Sequence, residues 1–503
     1  MKSGYRTFTI AGPEGVERLL RKIRGLYSLR EETADDIDEQ YLDTFDGRLS
    51  SRRLALRQTE RRFVLAAFSG TPSEETEGPQ KPRIFWQDFP EGKVKDMLAP
   101  ISGVRALCPL FRVVGRRRHF RVCNRDEKVV LRLQLETGDL YVGEEKREAF
   151  APRLHLEGMR GYHKQFQRVS EVLGENDCQN LEPGQTPVDL FFSQLQIRPD
   201  ENKIRLCLGK DQTASQAISL IGQGLLAGMK RNLPGVLEDI DSEFLHDFRV
   251  AIRRTRALLS QFKQEIPPGQ AGIFQDEFRW LGSVAGPVRD LDVCLQKEAI
   301  YRGLLPDDMH AGLSGFMEKI AEWRERQAVI MRDHLQSARA AALFANWSDF
   351  LSALPSKIQM PQGQIPCRKA ARKVVRRCFL RLLRDARRTI RGDMQDVSIH
   401  KLRIQAKKFR YMAEFFRGFF PAPDMDALVS DLRGLQDDLG DFNDLAVQIR
   451  RFQEYGTALS LDRIAGETLD ALLVRLEVEK KRLLKKCLKR CMQFMKQDRT
   501  GLF

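Results

Sequence analysis

The chain of 503 residues is poor in several things that would otherwise direct the reading. It has nine cysteines, an odd number without a Cys-x-x-Cys pair or a Cys/His cluster of zinc-ligand spacing, so neither a disulfide framework nor a zinc finger is expected and a reducing compartment fits. No stretch of 18 apolar residues occurs, and the opening Met1-Lys2-Ser3-Gly4-Tyr5-Arg6 has no apolar core of a signal peptide; a cytoplasmic protein without a transmembrane segment is the expectation. Trp and Tyr are scarce, at 4 and 8, against 30 Phe set mostly at apolar helical positions. That bias favours core packing over base stacking and argues against single-stranded nucleic acid as the partner.

What the sequence has in excess is positive charge. The formal net charge is +15, and it is uneven: residues 201–503 hold 51 Lys and Arg against 38 Asp and Glu, about +13, and residues 1–200 hold 33 against 31. Whatever polyanion the chain meets, it meets it through the C-terminal part. The length suits two or three domains, each able to bury its own core.

Two segments 154 residues apart repeat one another. Leu245-His246-Asp247-Phe248-Arg249 leads into Arg253, Arg254 and Arg256; Ile399-His400-Lys401-Leu402-Arg403 leads into Lys407, Lys408 and Arg410. The register then pairs Phe262 with Phe416, Leu281 with Leu435, Gly286 with Gly440 and Asp290-Leu291 with Asp444-Leu445. A duplicated helical unit is the simplest source of such a pattern. On a helix His246, Arg249, Arg253 and Arg256 fall within an arc of about 80° and a length of about 15 Å, with Phe248, Ile252, Leu259 and Phe262 on the neighbouring face. His400, Arg403, Lys407 and Arg410 repeat that stripe. A solvated basic face would explain one such helix. Two copies keeping a His and four cations in register point to a ligand, and Arg forks mixed with Lys point charges suit a polymer of phosphates.

The doubled pattern His-x-x-Arg-x-x-x-(Arg/Lys)-(Arg/Lys)-x-Arg, followed in each half by Leu, Gly and an (Arg/Asn)-Asp-Leu element, resembles the CHAD domain, the conserved-histidine α-helical domain, over roughly residues 200–500. The resemblance implies an all-α fold of two pseudo-symmetric four-helix bundles whose basic residues line a central groove or pore for inorganic polyphosphate. Carried over by position, the binding residues are His246, Arg249, Arg253, Arg254, Arg256, His400, Arg403, Lys407, Lys408 and Arg410. A row with almost no acid beside it, including Arg372, Lys373 and Arg376, is expected to add contacts, since only Asp385 interrupts residues 365–392. Asp290, Asp292 and Asp444 are expected to pair with stripe arginines and hold their rotamers. The last helix carries Lys480, Lys481, Arg482, Lys485, Lys486, Lys489 and Arg490 and could equally touch an acidic membrane surface.

Residues 1–173 alternate like strands (Tyr5–Ile10, Glu39–Phe45, Leu54–Thr59, Arg62–Phe68, Phe111–Val122, Val129–Leu135, Arg153–Glu157), with helical patterns at Gly15–Tyr27 and Tyr162–Leu173. This predicts an α+β domain built on antiparallel strands. Tyr41-Leu42-Asp43-Thr44-Phe45, Leu54-Ala55-Leu56-Arg57, Leu98-Ala99-Pro100, Phe111-Arg112 and Arg116-Arg117-Arg118 resemble the CYTH domain, the triphosphate tunnel metalloenzyme barrel. That family opens on Glu-x-Glu-x-Lys, whose carboxylates help hold the catalytic metal; here the strand reads Tyr5-Arg6-Thr7-Phe8-Thr9-Ile10, and the later strand Arg153-Leu154-His155-Leu156-Glu157 has one acid. A degenerate barrel without metal, cofactor or catalytic residues is therefore expected. Arg57, Arg112, Arg116, Arg118 and Arg121 alternate as if several pointed into a tunnel.

Turn-forming residues mark a linker at 174–202 and a second at 353–366, giving helical halves at 203–352 and 367–503. The expected function is non-enzymatic polyphosphate binding, with a location at polyphosphate granules and a protein partner for the barrel as further expectations. Nucleic-acid binding, a scaffold role and, last, a triphosphatase are the alternatives.

Overall fold

The structure is a computed structural model and describes residues 4–69, 73–81, 83–174, 178–181, 186–196, 208–209, 211–356, 363–392, 396–459 and 461–496. The chain divides into two compact units, residues 1–203 and 204–503.

The first unit is β1 (Tyr5–Ile10), α1 (Gly12–Leu26), β2 (Ser28–Thr44), β3 (Leu54–Thr59), β4 (Arg62–Ala67), β5 (Ser73–Glu77), α2 (Lys93–Ser102), β6 (Leu107–Cys123), β7 (Val129–Val142), β8 (Glu145–Gly158), α3 (His163–Gly174), β9 (Cys178–Asn180) and α4 (Pro187–Gln194). Its strands form one antiparallel sheet in the order β5-β4-β3-β2-β6-β7-β8-β1-β9, with β5 and β9 as edges. The antiparallel α+β domain expected from the alternation is what is found. β2 is longer than the alternation predicts because its first half carries no apolar face. Glu31, Glu32, Asp35 and Asp38 are instead matched across the pair by Arg118, Arg121, His119 and Arg112. The expected linker at 174–202 is not a bare connection: β9 adds to β1, and Phe191 and Phe192 of α4 pack with Tyr41, Phe111 and Phe150. The turn-rich residues 175–177, 182–185 and 197–202 lie outside the described residues.

Period-two alternation gives the sheet two different faces. Phe8, Ile10, Phe120, Val122, Leu133, Leu154 and Leu156 bury under α1 and α3. The opposite parity puts Glu39, Arg57, Arg117, Glu136, Arg153 and His155 together. Glu136 takes Arg117 at 2.8 Å, Arg153 at 2.9 Å and His155 at 3.4 Å; Glu39 takes Arg57 at 3.0 Å and Arg117 at 3.5 Å. Burial alone would raise the Glu136 carboxyl, but His155, Arg153 and Arg117 hold it well below the usual range. This corrects the expected inward row. Arg57 does turn inward, but Arg112, Arg118 and Arg121 are spent on β2 acids, Arg116 is exposed, and Arg117 and Arg153 are the inward guanidinium groups.

Gly115 and Gly138 face each other across β6 and β7. A Cβ at Gly115 would sit 2.1 Å from the Thr137 carbonyl oxygen, so backbone would have to move. Gly115→Ala is expected to destabilise this unit by about 1–3 kcal/mol, read as a lowered unfolding midpoint in chemical denaturation.

The second unit is helical: α5 (Ala214–Leu237), α6 (Ser242–Gln261), α7 (Gln270–Val284), α8 (Gly286–Gln296), α9 (Glu298–Arg302), α10 (His310–Leu335), α11 (Ala338–Ala353), α12 (Cys367–Arg391), α13 (Asp396–Phe415), α14 (Ala422–Ala458) and α15 (Arg463–Lys496). Shifting α6 by the 154-residue repeat gives the bounds of α13, and α5 and α10 shift onto α12 and α15. The one long helix α14 corresponds to two, α7 and α8. Pro287 has no N–H to continue the ladder at the point where the second half has Asp441. Helix α11 has no counterpart; its Trp347 and Phe350 pack on Phe274 of α7, and its Leu351 lies against Gly222 of α5. In the second expected linker, residues 357–362 lie outside the described residues, and Gly363 and Ile365 accept hydrogen bonds from Ser215 and Ala214. The starts of α5 and α12, equivalent positions of the repeat, are thereby tied together. Among the described residues no helix is long and apolar enough to cross a membrane.

Candidate anion-binding site

Helix α6 starts where Asp241 caps the free N–H groups of Glu243 and Phe244, and it buries Phe248, Ile252, Leu258 and Leu259. The polar stripe is left facing α13, whose own apolar face is Leu402, Ala406 and Phe409. Phe262 and Phe416, equivalent residues of the repeat, meet with ring centroids 5.5 Å apart, which places the two stripes across a local pseudo-twofold axis.

A cavity of about 480 Å³ opens between them. Its lining comes largely in repeat pairs: Arg249 with Arg403, Arg253 with Lys407, Asp290 with Asp444, Val293 with Val447, Cys294 with Gln448 and Arg289 with Asn443. His246, Arg450, Arg451, Phe452 and Tyr455 complete it. Seven Arg and Lys thus face two Asp.

The two acids are engaged differently. Asp444 takes Arg403 at 2.8 Å, as the repeat predicts. Asp290 takes Arg451 of α14 at 3.6 Å, so its ion pair crosses between the halves. Burial raises the Asp290 carboxyl, with Arg249 and Arg451 opposing. Arg249 donates to the Gly282 carbonyl oxygen at 3.3 Å, and a Cβ on Gly286 would come within 3.2 Å of its Nη1, which explains one of the two paired glycines. Burial pushes the Arg249 guanidinium down to about 10. The central pair is not ion-paired: among the described residues neither Arg253 nor Lys407 has a carboxylate within ion-pair distance. The Nε atoms of Arg249, Arg253 and Arg403 are buried without a hydrogen-bond partner among the described residues. Burial, then Arg403 and Arg253, push the Lys407 ammonium down to about 7.

The remaining expected residues are elsewhere. His400 bonds through Nδ1 to Asn443 Oδ1 at 2.5 Å and reaches the cavity through that contact. Arg254 is paired with Glu414 and lies over Tyr411 and Phe415; Arg410 shares Glu414 at 3.4 Å. Arg254 thereby staples α6 to α13, and Arg410 holds Glu414 from within α13. Arg256 and Lys408 belong to a second cationic group: burial, Arg381, Arg256 and Lys263 lower the Lys408 ammonium, and burial and Arg279 lower Arg256. Arg381 also lines an open hollow of about 530 Å³ along α12 with Arg372, Lys373, Arg376, Arg377 and Arg384. The expected list therefore falls into an axial cavity, a neighbouring α12 hollow and a structural staple. Asp292 forms no ion pair with a stripe arginine among the described residues; it pairs with Arg324 at 2.9 Å. Of the expected α15 row, Lys480, Lys486 and Arg490 are taken by Asp396 and Asp438 and Arg482 by Glu479, which leaves Lys481, Lys485 and Lys489 of that row without a described carboxylate partner.

Arg450, Arg451 and Tyr455 were not singled out from the sequence. Asp444, Val447, Gln448, Arg451 and Tyr455 follow at helical spacing, so extending the face beyond Asp444 would have found most of them.

The family model described as the CHAD domain matches residues 221–453. The crystal structure of the CHAD domain from the plant Ricinus communis is similar at 26% identity and a TM-score of 0.52, covering 59% of this chain and 96% of that one. PptA from Streptomyces chartreusis is a looser likeness, 16% identical with a TM-score of 0.42 over 56% of this chain and 99% of that one. No curated protein matches the chain.

Proposed function

We propose that this chain, whose residues 221–453 form a CHAD domain, binds inorganic polyphosphate in the axial cavity and does not break it down. The observation that carries the reading is the pair Arg253 and Lys407. They are equivalent residues of the repeat that face one cavity, neither with a carboxylate within ion-pair distance among the described residues, while the cavity's two acids are engaged by Arg403 and Arg451, so seven cations facing two acids favour an anion from outside. Guanidinium and ammonium groups on both walls suit consecutive phosphates of one chain. The α12 hollow, with Arg381 near Lys408, supplies a second set of cations for a longer polymer.

Two further observations favour this reading over its rivals. Apart from His246, the rings lining the cavity are Phe452 and Tyr455, and the described lining of the α12 hollow has none, so bases would find little to stack on. In the N-terminal unit the inward Glu39 and Glu136 are held by three arginines and His155. A divalent metal would have to displace those cations, so the residues present do not fit the metal that a CYTH enzyme uses. A position at polyphosphate granules and a protein partner for the N-terminal unit belong to this proposal as its wider setting.

The test is a titration of long-chain polyphosphate into the intact protein and an Arg253→Ala/Lys407→Ala variant at two salt concentrations, with DNA of equal phosphate content as competitor. The variant is expected to lose affinity on the order of 100-fold at low salt, with a shallower salt dependence. Equal binding by the variant, or equal displacement by DNA, would reject the proposal.

A further inference from the structure

We propose that Lys407 is a site of covalent acylation by acyl phosphates, and that this modification closes the axial cavity to polyanions. The inference rests on the anion-binding reading above and deepens it by naming a second class of ligand and a chemical consequence.

The geometry combines two requirements that seldom meet. A lysine amine becomes a nucleophile only when it can shed its proton, which happens beside other cations or away from water. Lys407 has both conditions: it is largely buried, and Arg403 on its own helix and Arg253 across the axis both oppose its charge. Of the acids facing the cavity, Asp444 of α14 works the other way but is already engaged by Arg403, and Asp290 of α8 is engaged by Arg451. The ammonium is accordingly lowered to about 7, so a large fraction of the amine is free near neutral pH.

The second requirement is a means of bringing the acyl donor to the amine. An acyl phosphate carries its activated carbonyl next to a phosphoryl group of the kind this cavity is lined to hold. With the phosphoryl oxygens on Arg253 and Arg403, the carbonyl carbon is delivered beside Nζ of Lys407. The nitrogen lone pair attacks that carbon, the C–O bond to phosphate breaks, inorganic phosphate leaves with the bonding pair, and the nitrogen releases one proton to it. An amide remains, with no oxidant or reductant required. It removes the one cation of the Arg253–Lys407 pair that can lose its charge and fills part of the cavity, so a polyanion meets fewer cations there.

Other lysines provide internal controls. Lys401 lies on the same helix and is exposed, without a carboxylate partner among the described residues. Lys408 is the neighbour in sequence but belongs to the α12 side.

The experiment incubates the intact protein with acetyl phosphate near pH 7.5 and follows site occupancy by quantitative mass spectrometry. Lys407 is expected to acetylate at least about tenfold faster than Lys401, because the lowered proton affinity frees far more amine than the accompanying drop in basicity removes in reactivity. A rate at Lys407 equal to or below that at Lys401 would overturn the inference. A parallel arm contains long-chain polyphosphate. Protection of Lys407 but not of Lys401 is the expected result; undiminished acetylation of Lys407 in that arm would leave this inference standing and reject the placement of polyphosphate in the cavity.

Discussion

Polyphosphate binding is expected to weaken by up to about tenfold per pH unit between pH 7 and 9, and Lys407→Arg is expected to flatten that dependence. In the free protein the Lys407 ammonium loses its proton at about 7, because burial, Arg403 and Arg253 all disfavour its charge. Phosphate oxygens in the cavity favour the charge instead, so the complex holds the proton to higher pH. Binding above pH 7 then takes up one proton, and affinity falls as pH rises through that window; below about pH 6 the amine is charged in both states and the dependence from this group vanishes. Arginine keeps its charge across the range. Titrations at pH 6, 7, 8 and 9 for the wild type and Lys407→Arg read the difference directly, and parallel slopes for the two proteins would rule out Lys407 as the titrating group.

The second large effect is on stability. Arg324 of α10 reaches Asp292 of α8 at 2.9 Å and pairs with Asp239 in the turn between α5 and α6, and both acids and the arginine are largely buried. Burial raises the Asp292 carboxyl, with Arg324 opposing and Asp239 adding to the rise; the paired acids together hold the Arg324 guanidinium above its usual range. Arg324→Met removes the guanidinium that pairs with both neighbouring carboxylates. A loss of about 3–5 kcal/mol is expected, because an uncompensated buried charge costs more than an intact pair contributes. Adding Asp292→Asn should restore part of it, since one of the stranded charges is then gone. Chemical denaturation followed by far-ultraviolet circular dichroism gives both numbers; a loss below about 1 kcal/mol would mean that the three groups are better hydrated than their burial indicates.

The same triad shows where the repeat stops informing. Shifting Arg324 and Asp292 by 154 residues lands on Val478 and Ala446, so the second half has no such staple. Val478 is instead 63% exposed. Duplication carried over the helix bounds and the stripe but not the particular acids that neutralise cations away from it.

Much of the site was legible in the linear pattern of residues. The doubled stripe, the paired glycines and the Asp-Leu elements set the α6/α13 equivalence. One helical wheel also placed His246, Arg249 and Arg253 on a common face. The strand alternation likewise found the buried face of the N-terminal sheet where apolar residues alternate, at Phe8 and Ile10 and at Leu154 and Leu156. It missed the first half of β2, where cross-strand ion pairs replace the apolar signal.

What sequence alone determined, then, is the pattern that depends on neighbours a few residues apart: helix or strand, the face that carries charge, and the register of the two copies. Only the tertiary structure decided which cations are spent. Arg253 and Arg254 are adjacent and chemically identical, yet one faces the axial cavity with no carboxylate within ion-pair distance among the described residues while the other is taken by Glu414, a residue 160 positions away in the chain. Asp290 turns to Arg451 of the other half, where Asp444 keeps to its own Arg403. Charge compensation depends on distances between helices that packing sets, and a linear pattern contains no term for them.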